Sequence, residues 1–123
     1  MEELYMEEKI MIYLMHLKIT PNLKGYKYMK EAALRLCKNS GKKYYKTNEL
    51  IKELSSEMGE KASLYDRAIR HAVEVSFKRD GIRAFERFMR IDFSVSKPTA
   101  KEILHVLAEK LKVEVGQKFH AQA

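Results

Sequence analysis

Three charged residues near the middle of the chain lie within five consecutive positions. The stretch ASLYDRAIRHAVEVSF (62–77) carries Arg67 and Arg70 three positions apart, with Asp66 beside them. Arginine can donate two hydrogen bonds to a guanine in the major groove, and a carboxylate can accept one from a cytosine amine. In a helix-turn-helix, residues near the start of the second helix reach the base edges. The pattern is therefore compatible with a nucleic-acid contact by these three side chains.

The same residues also admit a purely structural interpretation. Arg70 and Glu74 are four positions apart and could pair in solvent, a contact worth about 0.2–0.5 kcal/mol. Ser63 and Asp66 fit a capping box, in which the serine oxygen accepts an early backbone N–H and the carboxylate reaches back. His71 lies at the edge of the polar face, where a surface role is expected. The pattern alone leaves both interpretations open.

No grouping of residues favours catalysis or metal binding. The four histidines are scattered along the chain, without H-E-x-x-H spacing and without cysteine partners. A phosphate loop and a G-x-S-x-G elbow are also missing. We therefore expect no enzyme activity, no cofactor and no metal. Cys37, the single cysteine, lies on an apolar stripe and is predicted to be a small buried hydrophobe.

Helical periodicity extends along most of the chain and places this charged group on a helix. Apolar residues recur three and four positions apart. Segments with this period run at about 2–18, 26–39, 47–58, 63–78 and 82–90, with a last helix starting at Thr99-x-x-Glu102. The stretch KITPNLKG (18–25) is expected to be a break that includes Gly25. No alternating run is long enough for a strand, so the predicted fold class is all-α, a compact bundle of about five to six helices.

The apolar side of each predicted helix forms the predicted core. Its members have the period that places them on one face. They are Leu4, Ile10, Met11, Leu14 and Leu17; Met29, Ala33, Leu36 and Cys37; Leu50, Ile51, Leu54 and Met58; Leu64, Ala68, Ile69, Ala72, Val73 and Val75; Phe85, Phe88 and Met89; and Ile103, Leu104, Leu107 and Leu111.

The third and fourth helices have the layout of a helix-turn-helix over about 47–78. Gly59 lies in the short turn between them, Leu54 and Met58 precede it, and Tyr65 and Ala68 follow as packing positions. This layout allows 63–78 to lie in a major groove. The side of that helix opposite the core carries polar residues: Asp66, Arg67, Arg70, His71, Glu74 and Lys78.

The net charge of +7 is distributed in blocks along the chain. The blocks carry −3 over 1–17, +8 over 18–46, −3 over 47–60, +4 over 61–97 and +1 over 98–123. Such blocks are typical of a footprint for a polyanion, although they also occur on other soluble proteins. KKYYK (42–46) interleaves aromatics with lysines, as single-strand binders do, but packing at a helix start is the expected role of Tyr44 and Tyr45.

Charge and cysteine content also indicate a compartment. No segment has the length of uncharged apolar residues that a membrane span needs. The acidic N-terminus is the reverse of a secretory signal. A single cysteine cannot form an intrachain disulfide. A cytoplasmic protein without membrane contact is therefore expected.

Three segments carry a resemblance to a known family: LKGYKYMKEA (23–32), ASLYDRAIRHAVEV (62–75) and KPTAKEILHVLAEKLKVE (97–114). They resemble, in the same order, the C-terminal effector domain of stage 0 sporulation protein A, the bacterial response regulator of sporulation initiation. The resemblance implies about six helices with a helix-turn-helix. It also implies binding to short double-stranded promoter elements, often in tandem copies, to activate or repress transcription.

Carried over position by position, the resemblance implies DNA-binding roles for Ser63, Asp66, Arg67, Arg70 and Lys97. Asp66 replaces a longer carboxylate, and Leu64 stands where the family typically has a recognition arginine, so the target sequence or the affinity is expected to differ. Double-stranded DNA is the expected partner. Contact with RNA polymerase and homodimerisation on tandem sites are left open.

The expected organisation is one helical DNA-binding effector domain over 1–123, without the family's receiver domain, and whether 116–123 is ordered or a disordered tail is left open. Two other interpretations of function remain at this point. One is a helical protein-interaction module that modulates a related regulator without reading DNA. The other is a sequence-indifferent nucleic-acid binder that uses the basic block 18–46.

Overall fold

The computed structural model describes residues 1–39 and 46–120, and these ranges contain helices without any strand. There are six α-helices and a final π-helical turn. They are α1 (Glu2–His16), α2 (Lys24–Lys38), α3 (Thr47–Glu57), α4 (Ala62–Lys78), α5 (Gly81–Met89), α6 (Ala100–Val115) and the π-helical turn Gly116–His120. The predicted all-α fold class and helical bundle are confirmed. Across the described ranges, no helix is both long enough and apolar enough to cross a membrane.

The core lies around α2, which packs against α1, α3, α4 and α6. Most of the predicted core residues are buried there. The confirmed ones are Ile10, Leu14, Leu17, Met29, Ala33, Cys37, Leu50, Ile51, Leu54, Ile69, Ala72, Val73, Phe85, Ile103, Leu104, Leu107 and Leu111. Leu36, Met58, Ala68, Val75 and Met89 are partly buried. Burial of Cys37 raises the pKa of its thiol, as expected of a small core residue rather than a reactive one.

The core prediction was wrong for Leu4 and Met11, which are 59% and 46% exposed. Met6 and Tyr13 face the core in their place. The physical reason is that α1 carries large apolar residues on two opposite sides. Periodicity identifies such a helix, but it cannot tell which of the two sides is buried.

Leu64 and Phe88 were also wrongly placed in the core. Leu64 is 39% exposed and Phe88 is 49% exposed. On the short helix α5, Ile82 and Phe85 supply the buried contacts. Phe88 instead stacks on His16 at the surface, with ring centroids 3.4 Å apart.

The helix start predicted at Thr99-x-x-Glu102 is a capping box on α6, whereas the capping box predicted at Ser63 does not form. The Thr99 hydroxyl accepts a hydrogen bond from the Glu102 backbone N–H at 3.1 Å, and the Glu102 carboxylate accepts one from the Thr99 N–H at 2.8 Å. The box predicted at Ser63 is wrong, because α4 begins earlier. Its N-cap is Lys61, in extended conformation and without a side-chain cap. Ser63 therefore lies inside the first turn.

Gly25 lies inside α2 rather than in a break, and its position explains how α4 is seated. A Cβ atom on Gly25 would lie 2.3 Å from the Ala68 carbonyl oxygen and 2.8 Å from the Ala72 Cβ. Only a residue without a side chain allows the two helix backbones to approach this closely. The prediction that Gly25 ends the break is therefore wrong. Gly25 is needed where α2 packs on α4.

Two further contacts fix α4. The Tyr65 hydroxyl donates to the Tyr28 carbonyl at 3.1 Å, and the two rings stack 4.1 Å apart. At the other end, the buried Ser76 hydroxyl donates to the Leu17 carbonyl at 2.6 Å. These contacts hold α4 at both ends.

The predicted tail lies partly within the described ranges. Residues 116–120, for which the sequence left order or disorder open, form the π-helical turn. Phe119 in this turn packs edge-on against Tyr5, with ring centroids 5.4 Å apart. Residues 121–123 lie outside the described residues.

Candidate nucleic-acid interface

The outward side of α4 is the candidate interface. Tyr65, Ile69, Ala72, Val73 and Ser76 are the buried residues of this helix. The helical period places a second set on the opposite side. We call this set the α4 outer face; it consists of the exposed residues Ser63, Arg67, Arg70, His71, Glu74 and Lys78. The predicted polar face is therefore exposed as expected, with Asp66 half-buried at its margin.

Arg70 pairs with Asp66 rather than with Glu74. The Asp66 Oδ2 atom lies 2.9 Å from Arg70 Nε, and the Arg70 side chain remains 74% exposed. This contact occupies one edge of the guanidinium. Among the described residues Arg70 makes no other hydrogen bond or ion pair, so its Nη groups can donate to a base or a phosphate.

Lys97 lies beside α4 although it is distant in sequence. The exposed Lys97 Nζ is 5.6 Å from the centroid of the Phe77 ring. Phe77 is seven residues after Arg70, about two turns along the same side of the helix. The structure thus places Lys97 next to the C-terminal half of α4. Sequence reasoning missed Phe77, because a single aromatic at a core margin carries no signal of its own.

Leu64 lies on the flank of the α4 outer face. It directly follows Ser63 in the first turn, and it is exposed rather than packed into the core. The side chain thus occupies surface beside the candidate contact residues. It contributes an apolar group where the resemblance to the family implies an arginine.

Gly59 sets the turn between α3 and α4. Its φ is +67°, in the left-handed region, and no atom lies within 4 Å of a Cβ built there. Its N–H donates to the Ser56 carbonyl at 3.1 Å, and the Glu60 N–H donates to the Ser55 carbonyl at 2.8 Å. A left-handed glycine with these bonds is a common way to end a helix. A glycine is needed at position 59 because it adopts this left-handed conformation without strain.

The basic block 18–46 is partly neutralised by the acidic blocks on either side of it. Arg35 lies 3.0 Å from the Glu53 carboxylate and 2.8 Å from that of Glu57, which joins α2 to α3. Lys38 pairs with Glu3 of α1. Some basic residues of this block therefore hold helices together. This makes it less suited to bind nucleic acid as a single surface. Residues 42–45 of KKYYK lie outside the described residues.

Across 1–39 and 46–120, no cluster of three or more His, Cys, Asp or Glu side chains has the geometry to bind an ion. His71 is exposed on α4 and His105 is half-buried on α6. His105 approaches the Thr47 hydroxyl at 3.4 Å.

A helical bundle that presents a helix-turn-helix with exposed arginines on its second helix has the architecture of a DNA-binding effector domain. Residues 10–111 match the family model described as "Sporulation initiation factor Spo0A C terminal". This match covers most of the 123-residue chain, and the chain belongs to that family. Its members are DNA-binding regulatory domains of sporulation control.

Proposed function

We propose that the chain is a sequence-specific transcription regulator that reads double-stranded DNA by placing α4 in the major groove. The α4 outer face supports this proposal most directly. It exposes Arg67 and Arg70 on a helix whose other side packs against Gly25 of α2. Hydrogen bonds from Tyr65 and Ser76 also fix this inner side. A rigid helix with exposed guanidinium groups can hold them in register with base edges.

Each predicted site residue has a proposed role. Arg67 and Arg70 donate to base acceptors. Ser63, at the start of the helix, and Lys97, beside its later half, contact phosphates and fix the position of the helix on the duplex. Asp66 orients Arg70 through the 2.9 Å contact and presents its second carboxylate oxygen toward the groove.

The proposal extends to organisation and partners. The chain acts as one effector domain in a bacterial cytoplasm, without catalysis. It binds promoter elements, and contacts with RNA polymerase and with a second copy on tandem sites complete its regulatory role. Leu64, in place of an arginine, reduces the number of charged groups that face the DNA.

Fluorescence anisotropy tests the proposal. The chain is titrated onto a duplex with the family's element and onto a scrambled duplex, across a salt series. We expect a preference for the element that persists as salt rises, because base contacts do not depend on counterion release. Arg67→Ala and Arg70→Ala should each cost about 1–3 kcal/mol on the element.

Arg87→Ala is the matched control, because Arg87 is an exposed arginine on α5 rather than on α4. It should leave the preference for the element unchanged. Equal affinity of the wild type for both duplexes would contradict sequence reading. Unchanged affinity of both α4 variants would exclude this helix as the recognition helix.

Leu64 also favours a second candidate, the helical protein-interaction module. An exposed leucine on this surface suits a protein partner better than a phosphate. This candidate predicts no retardation of any duplex at low salt, together with copurification of a partner regulator.

A further inference from the structure

The side of α1 that faces away from the core is apolar. Ile10, Leu14 and Leu17 are buried on the inner side. The opposite side, which we call the α1 outer face, carries Met1, Leu4, Met11, Ile12 and Met15, which are 98%, 59%, 46%, 37% and 61% exposed. A helix that is apolar on both sides is normally covered on both sides. This face contains most of the large apolar side chains that are exposed in the described ranges.

The α1 outer face has both a groove and a projecting end. Met11, Ile12 and Met15 line an apolar groove of about 500 Å³ together with Ile19, Thr20 and Pro21 from the segment between α1 and α2, and with Tyr26 of α2. Leu4 and Met1 lie outside the groove, toward the start of the helix. Apolar side chains project at one end of the face and the groove lies at the other, so the face is complementary to itself under a twofold rotation.

Charge along α1 selects an antiparallel arrangement. Glu7 and Glu8 lie in the first half of the helix, whereas Lys18 follows its end. Glu2 and Glu3 already pair with His120 and Lys38 of the same chain. An antiparallel second copy brings the acidic half of each helix to the basic end of the other. It also aligns the two helix dipoles favourably. Glu8 is the charged residue among those that line the groove, and this arrangement gives it a cationic neighbour.

We propose that a second copy of this chain docks antiparallel on the α1 outer face, about a twofold axis near Met11 and Ile12. Leu4 of each copy enters the groove of the other, and Lys18 of each copy lies beside Glu7 and Glu8 of the other. This assembly forms without DNA and is independent of the function proposed for α4. It uses a helix that contacts α4 through its end, where Ser76 bonds to Leu17.

Sedimentation velocity over a wide range of protein concentrations, without DNA, tests the assembly. The wild-type chain should shift from monomer to dimer as concentration rises. The double variant Met11→Glu/Met15→Glu should weaken the dimer by more than about tenfold, because it buries two charges in the apolar centre of the interface. Both positions are exposed, so the variant should retain its helical circular dichroism. Val113→Glu is the matched control, since Val113 is 52% exposed on α6 and should leave the dimer unchanged.

A wild-type chain that stays monomeric at every concentration would overturn the proposal and leave the face to a different partner. A dimer that withstands Met11→Glu/Met15→Glu would overturn it as well, because another surface would then hold the copies together.

Two further variants test the orientation. Ile12→Cys should crosslink to itself with a short bismaleimide, because the residue lies near the axis, while Cys37 is only 8% exposed and should not react. Glu8→Lys should weaken the dimer, and Lys18→Glu in the same chain should restore it. Absence of crosslinking in a chain that sediments as a dimer, or absence of restoration, would contradict the antiparallel arrangement.

Discussion

The Asp66 carboxylate lies 2.9 Å from Arg70 Nε, one helical turn further along α4. The contact restricts an arginine side chain that is otherwise 74% exposed. An exposed pair of this kind contributes little to the stability of the fold. The pair instead fixes the orientation of the Arg70 guanidinium, which is the group proposed to reach a base.

We therefore predict that Asp66→Ala lowers the preference for the family's element over a scrambled duplex by up to about 1 kcal/mol, the upper range for an exposed pair. Affinity for the scrambled duplex should rise slightly, because a negative charge is lost near the phosphates. Competition anisotropy measures both quantities. Asp66→Glu retains a carboxylate and should recover most of the preference. A uniform change on both duplexes would show that Asp66 does not position Arg70.

Leu64→Arg should strengthen DNA binding. Leu64 is exposed on the flank of the α4 outer face, so an arginine there can reach the duplex without disturbing the core. A new base contact is worth about 1–3 kcal/mol, and a new phosphate contact steepens the dependence of log K on log salt by about one. The salt series distinguishes the two.

Val113→Arg is the control for this gain. It adds the same charge on α6, at a side chain with 52% exposure. Non-specific attraction alone would produce equal gains in the two variants, and that result would place Leu64 outside the interface.

Gly25→Ala should destabilise the domain by about 1–3 kcal/mol, the usual cost of overpacking. The new methyl group would lie 2.3 Å from the Ala68 carbonyl oxygen, which is backbone and cannot swing away. DNA affinity should fall as well, because α4 must shift from α2. Urea unfolding and anisotropy measure the two effects.

Gly116→Ala is the control for Gly25→Ala, since no atom lies within 4 Å of a Cβ at Gly116 and its backbone is helical. It should be neutral or slightly stabilising. Equal effects of the two substitutions would contradict the close approach of α2 and α4.

Glu114 should make the domain sensitive to acid. Burial alone would raise the pKa of its carboxyl, but hydrogen bonds from Lys9 at 2.6 Å and from Tyr13 at 2.5 Å outweigh burial and lower it below its ordinary 4.5. The resulting stability is present above pH 4.5 and is lost as pH falls through the lower folded-state value.

Glu114→Gln should therefore cost about 1.5 kcal/mol at neutral pH and flatten the acid limb of the stability profile. Urea unfolding at a series of pH values measures this. Glu109→Gln removes a carboxylate that is 67% exposed, and its profile should run parallel to that of the wild type. If Glu114→Gln lost stability at acid pH as steeply as the wild type, other carboxylates would be responsible for the acid sensitivity.

The sequence predicted helix ends well where the start or stop depends on neighbouring residues alone. Gly59 at the turn and Thr99 with Glu102 at α6 are such local signals. The polar side of α4 was also predictable, since its charged residues recur at the helical period. The family match over residues 10–111 agrees with the resemblance stated from the sequence.

What the sequence could not provide depends on packing between helices. The role of Gly25 depends on the approach of Ala68, and the partner of Arg70 depends on a choice between two carboxylates at equal spacing. The exposure of Met11 depends on which apolar side of α1 meets α6 and α2. Lys97 reaches α4 only because the segment before α6 runs past Phe77.

The Leu17 carbonyl joins parts of the chain that are far apart in sequence. It accepts a hydrogen bond from Ser76, which is 59 positions away, and a Cβ on Gly81 would lie 1.9 Å from it. Such a contact breaks only when a large loop opens. Backbone amides at this junction should therefore exchange with deuterated solvent only through global unfolding, whereas those in the uncapped first turn of α1 exchange through fraying. The helix proposed to read DNA is thus attached to the part of the domain that opens last.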